Sequence, residues 1–231
     1  MTPCAARTFA AALVFTGAAA SQPLPPRAPN DLYSPPSKPE GADEDRRACL
    51  ARLTALGVEY ESLTRHEEGA CVIDAPIRLE AVAASRGAGT PITFPQRPMI
   101  ECRLAERLAD WLRDAVAPLF QAEFGAALTS VVTGPGYECR RRNRAPDAKM
   151  SAHALGLALD ISAFKLSNRR SVYADEPDDQ RSKNLFDVVR RTACGWFTTV
   201  LGPGSPDGFH EDHLHVDLQP HGSRDSYRIC Q

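Results

Sequence analysis

The sequence predicts an α+β fold: a small antiparallel sheet flanked by helices and stapled by disulfides. Three observations lead there. Helical patterns come first and strand patterns are mixed in after them. Short runs such as HLHVDL (213–218) alternate in the manner of half-buried strands. Cysteines are scattered along the chain with no C-x-x-C pair, which suits structural bridges better than a cysteine-ligated metal.

Of the 231 residues 43% are hydrophobic and 24% charged, a balance that fits one globular domain with flanking segments. Residues 1–20 read as a signal peptide: Arg7 precedes an apolar run from Phe9 to Ala20, and Ala18 and Ala20 make a small-x-small cleavage pattern before Ser21. Residues 21–42 are a proline-rich linker, too poor in apolar periodicity to build a core. The folded domain is expected over 43–231, in a periplasmic or secreted protein with no integral membrane segment in its mature chain. Removing Cys4 with the signal leaves Cys49, Cys71, Cys102, Cys139, Cys194 and Cys230, an even set for three bridges in an oxidising compartment. One expected pair is Cys49–Cys71, on a helix and the strand that returns past it.

The first helix is predicted from Asp43 to Leu56, opened by acidic residues and stopped by Gly57. VEYESL (58–63) reads as a strand, and HEEG (66–69) as the turn that follows. The longest helical pattern runs from about Ile100 to Phe124, with Leu104, Leu108, Trp111, Leu112, Val116 and Leu119 on a core-facing side and a kink at Pro118. ALTSVVT (127–133) and LALDISAF (157–164) are strands. Asp178 to Thr192 is a further helix with Leu185, Val188 and Val189 inward, and HLHVDL is the last strand.

Chemistry concentrates in two stretches. KMSAHALGLALDIS holds His153 and Asp160, with Gly156 permitting a tight turn between them. HEDHLHVD (210–217) holds three of the six histidines. On a strand His213 and His215 project to one face. His153, Asp160 and His215 together would offer two imidazoles and a carboxylate, a mixed set that suits zinc and leaves a coordination position open. Asp212 points the other way unless a turn near 210–212 redirects it. Asp217 is either a partner that orients a ligand histidine or an ordinary strand-end charge. His66 and His221 lie in polar, turn-like stretches and are expected to be solvated. Net charge is -2, so no broad basic surface points to nucleic acid. The Arg140, Arg141, Arg142 and Arg144 run reads equally as a solvated loop or as substrate contact.

SAHALGLALD and EDHLHVD resemble the paired motifs of the lysostaphin, D-Ala-D-Ala carboxypeptidase and hedgehog group of metallopeptidases. YECR, KMSAH, ACGWFTTVLGPGS, DHLHVDL and YRIC bring the chain closer to the extensin-like C-terminal domain family of bacterial exported proteins, a resemblance that spans roughly Cys49 to Cys230. It implies a small sheet carrying one Zn2+ on His153, Asp160 and His215, with Asp212 and His213 as acid/base groups. It also implies Arg140 as the oxyanion and substrate contact, and Ser151 and His210 as substrate-binding residues. Ser151 has a second reading as a local backbone cap. The chain departs from its relatives in two places: GLALD stands where GNALD is common, and the SNRRSVYADEPDD insert (167–179) replaces a short turn, which bears on the shape of the cleft.

The implied activity is zinc-dependent hydrolysis of peptide bonds in peptidoglycan stem peptides, most like a DD-endopeptidase because three histidines crowd the last ligand. The alternative is a non-hydrolytic, zinc-stabilised cell-wall or protein-binding module, as the hedgehog relative illustrates. A disulfide-stapled structural protein without metal is the third class.

Overall fold

The computed structural model describes residues 41–85, 90–222 and 227–231. The expected export signal and nearly all of the linker lie outside the described residues. None of the described helices is long and apolar enough to cross a membrane.

In chain order the elements are α1 (Ala42–Ala55), β1 (Val58–Ser62), β2 (His66–Glu68), β3 (Cys71–Ile73), β4 (Pro76–Val82), β5 (Ile92–Thr93) and β6 (Met99–Glu101). They continue as α2 (Cys102–Trp111), a π-helical turn (Leu112–Val116), α3 (Ala117–Phe124) and β7 (Leu128–Thr133). A 3-10 turn (Ala152–Leu155) leads into β8 (Ala158–Leu166) and β9 (Ser171–Tyr173). The last elements are α4 (Gln180–Ala193), β10 (Thr199–Leu201), β11 (Leu214–Asp217) and β12 (Ile229–Cys230).

The α+β class holds, but the sheet is large rather than small. Among the described residues ten strands join in the order β1-β4-β5-β7-β8-β11-β10-β12, with β6 on β4 and β9 on β8. Nor is it wholly antiparallel: β5 runs parallel to β7, and β12 parallel to β10. Several members are only two or three residues long, too short for alternation to show in the sequence. HEEG is corrected in the same way. His66–Glu68 is a strand paired with Cys71–Ile73, and the turn falls on Gly69 and Ala70.

The long helical pattern survives as a continuous run with a π-helical turn just before Pro118. Proline lacks an N–H and its ring crowds the carbonyl four residues back, so a wider turn at Leu112–Val116 accommodates it without ending the helix. Leu104, Leu108, Trp111, Leu112 and Val116 are fully buried, and Leu119 only partly. Trp111 meets Phe197 and Phe164 edge-on at 5.5 and 6.4 Å, and its Nε1–H donates to Thr192 Oγ1 at 3.0 Å. Burial of each such ring contributes about 2–3 kcal/mol. Helix α4 starts one residue after Asp179, whose carboxylate caps Ser182 N at 2.7 Å.

Among the described residues three disulfides form: Cys49–Cys102, Cys71–Cys139 and Cys194–Cys230. The expected Cys49–Cys71 pair is overturned. Helix α1 packs on α2, so Cys49 meets the first residue of α2, whereas Cys71 is taken by the loop after β7.

Candidate metal centre

The sheet builds the site. Strands β8 and β11 are antiparallel neighbours with His215 directly opposite Asp160, and such pairs share a face with Cβ atoms about 5 Å apart. Leu214 and Val216 turn to the core on the other face, both fully buried, so the register that packs them also presents His215 and Asp217 together. His153 arrives from the 3-10 turn before β8. Ser151 caps that turn through its contact with His153 N at 3.4 Å, and Gly156 closes it at φ 64°. A Cβ on Gly156 would come within 2.9 Å of Glu101 N, so only glycine brings the turn this close to β6. Leu157 is buried with Ala152 and Ala158 in a small apolar cluster beneath the turn.

His153, Asp160 and His215 each offer one ligand atom, and these atoms lie within 4.8 Å of one another. His153 Nδ1 bonds the Gly136 carbonyl at 2.7 Å, which assigns the ring proton to Nδ1 and turns the Nε2 lone pair toward the site. That Nε2 is buried without a hydrogen-bond partner, 3.2 Å from Asp160 Oδ2. His215 Nδ1 lies 2.9 Å from Asp160 Oδ1, while its Nε2 faces Asp217 Oδ2 at 3.2 Å. Burial pushes the Asp160 carboxyl up, but the adjoining imidazoles of His153 and His215 outweigh it and hold the group well below the usual carboxylate range. His215 shows the mirror image: burial works against its charge, yet the Asp160 and Asp217 carboxylates raise it to about 9.

Around this cluster opens a cleft of about 570 Å³. His213 lines it, with Nε2 3.4 Å from Asp160 Oδ1 and Nδ1 2.7 Å from Asp212 Oδ1. Residues 211–213 form a bend rather than regular strand, and it is this bend that brings Asp212 back against His213. The Asp212 carboxylate itself is 78% exposed and does not line the cleft. His210 does, held by Asp207 at 2.9 Å, with its ring 5.2 Å from that of His213 and 5.4 Å from that of His215. Desolvation lowers its pKa from the ordinary histidine value.

Arg140 also lines the cleft, its Nε donating to Glu138 Oε2 at 2.6 Å. Arg142 and Arg144 line the cleft as well, whereas Arg141 turns away to the Ala148 carbonyl. The 167–179 insert contributes no lining residue. It forms β9, against the far end of β8.

Two residues depart from expectation. His221 is buried, not solvated: its Nε2 sits 2.7 Å from Thr199 Oγ1, its ring stacks on Tyr227, and it lines the cleft. Its polar neighbours HG and QP concealed this, because a contact with β10 leaves no local pattern. His66 is half-buried, edge-on to the Tyr137 ring at 4.7 Å.

Searches among curated proteins and among solved structures returned no match. The family model described as extensin-like protein C-terminus matches residues 47–231, which take in every element from within α1 to β12 and the whole of the cleft. The chain therefore belongs to the extensin-like protein C-terminus family.

Proposed function

We propose that the protein is a zinc-dependent hydrolase of peptide bonds in peptidoglycan, acting in the manner of a DD-endopeptidase outside the cytoplasm. The observation that carries this reading is the convergence of His153 Nε2, Asp160 and His215 Nδ1 at the base of an open cleft. The donor set fits zinc. Two imidazoles and a carboxylate suit a borderline-soft cation, and tetrahedral bonds of the usual length place ligand atoms roughly 3.3 Å apart. His153 Nε2 stands 3.2 Å from Asp160 Oδ2 and His215 Nδ1 2.9 Å from Oδ1, so each imidazole meets its own oxygen of the one carboxylate and the three groups lie close enough to share a single ion. His153 Nε2 is buried with no hydrogen bond of good geometry, and a metal ion would give it a partner.

Zinc held there would supply Lewis acidity and a water acidified toward neutrality. The remaining work falls to the chain's own groups. His213 is positioned to take a proton at Nε2, with Asp212 behind it orienting the ring through Nδ1. Asp212, expected as an acid/base group, is accordingly assigned a supporting role, with His213 as the general base. Arg140, steadied by Glu138, is a fixed donor for developing oxyanion charge or a substrate carboxylate. Ser151 contributes mainly by capping the turn that carries His153. The packing of His210 against His213 and His215 supports the endopeptidase lean. The Asp212–His213 pair favours hydrolysis over a binding module, since an ion that only stabilises the fold needs neither. Three disulfides favour an oxidising compartment.

The test is digestion of isolated sacculi and defined muropeptides by zinc-loaded protein, read by mass spectrometry of new termini. Release of cross-bridge fragments is expected, with turnover about 100- to 10,000-fold lower in His213→Ala at unchanged zinc content. Zinc-loaded wild-type protein that releases nothing overturns the hydrolase reading.

A further inference from the structure

A line of buried polar side chains runs from the candidate metal centre to the rear of the cleft. His215 Nε2 meets Asp217 Oδ2 at 3.2 Å. Asp217 is itself only 4% exposed, so its carboxylate depends on protein partners. It has them. Gln219 N–H donates to Oδ1 at 3.0 Å and Thr198 Oγ1 to the same oxygen at 3.2 Å. Thr199 lies directly across the β10–β11 pair, and its hydroxyl is among the groups that hold the Asp217 carboxyl below its ordinary value. The Thr199 hydroxyl in turn meets His221 Nε2 at 2.7 Å, and the His221 ring stacks on Tyr227 at 5.3 Å.

This arrangement has a consequence for His215. An imidazole can present either nitrogen to a metal, and the choice follows the hydrogen bond made by the other. Asp217 retains the proton on Nε2 and so leaves Nδ1 to face Asp160 and His153 Nε2. Nothing on the opposite face of the strand competes, because Leu214 and Val216 are fully buried in the core. A strand-end carboxylate serving only as surface charge would not be buried or receive three hydrogen bonds.

We infer that Asp217, held by Thr199 and His221, is a positioning residue that selects Nδ1 of His215 as the metal-binding atom. This rests on the metal reading above and goes beyond the three ligands by assigning Asp217, Thr199 and His221 a shared task. The role is one of orientation: Asp217 touches no reacting atom.

The test uses the full-length protein and zinc affinity measured by competition with a chromophoric chelator, together with the visible absorption of the cobalt(II)-substituted protein. Asp217→Asn keeps the size of the side chain and removes the charge that retains the Nε2 proton. Its zinc affinity is expected to fall about 10- to 100-fold, with an altered cobalt band because the ligand field at His215 changes. Thr199→Val, a nearly isosteric change one bond further out, is expected to weaken zinc in the same direction by less, and it carries the test should Asp217→Asn not fold. A purely structural Asp217 would lower the melting temperature of the metal-free protein and leave both affinity and cobalt band as in wild type; that outcome overturns the inference while the metal reading stands. Wild-type protein that takes up no zinc overturns the metal reading and this inference with it.

Discussion

At the scale of single residues, His215 and Asp160 decide how the site responds to pH. His215 is raised above the ordinary histidine value of 6.5 to about 9 by Asp160 and Asp217. The stability from its charged form is therefore complete below 6.5 and is lost as pH rises through about 9. Asp160 and Asp217 are both depressed, so their contribution is present above the usual carboxylate range and lost only on strong acidification. A metal at Nδ1 must displace the His215 proton. Apparent zinc affinity is thus expected to rise roughly tenfold per pH unit from 7 to 9 and then flatten, with one proton released from His215 per ion. Titration calorimetry in buffers of differing ionisation enthalpy measures that proton directly, and a pH-independent affinity would contradict the assignment.

At the scale of elements, the site depends on a turn and two loops held at close quarters. Gly136 lies at φ 81°, and a Cβ there would come within 2.5 Å of the Met99 carbonyl oxygen. Its own carbonyl fixes the Nδ1 tautomer of His153. Gly136→Ala is expected to cost at least about 2 kcal/mol by chemical denaturation and to weaken metal uptake, since the loop must shift away from β6. An alanine variant with wild-type stability would show that the loop adapts freely. Elements with a long internal pattern were legible: α1, the continuous run from α2 through α3, and α4 fall within a few residues of their expected ends, and β7, β8 and β11 are where strands were expected. The strands at Ile92–Thr93, Thr199–Leu201 and Ile229–Cys230 were not, because two or three residues carry no period and their pairing is with distant chain.

At the scale of the whole molecule, three disulfides close loops spanning 53, 68 and 36 residues of sequence. The Cys71–Cys139 bridge ties the hairpin of β2 and β3 to the residue just before Arg140, so it serves both the fold and the cleft wall. Replacing both cysteines with serine is expected to cost about 4 kcal/mol on the chain-entropy account of cross-links. Thermal unfolding should show it, with the drop in melting temperature exceeding that for loss of Cys194–Cys230, which closes a shorter loop. Equal drops would indicate that strain or residual structure, rather than loop length, governs their worth.

The amino-acid order alone determined the ligand types, their spacing and the disulfide chemistry, because residue identity and helical or strand period are local properties. Folding decided the rest. Which cysteines meet, that Asp212 bends back onto His213, and that His221 is buried behind β10 all depend on pairings between segments tens of residues apart. A contact of that kind is an energy of the assembled sheet, and no window of sequence contains both of its partners.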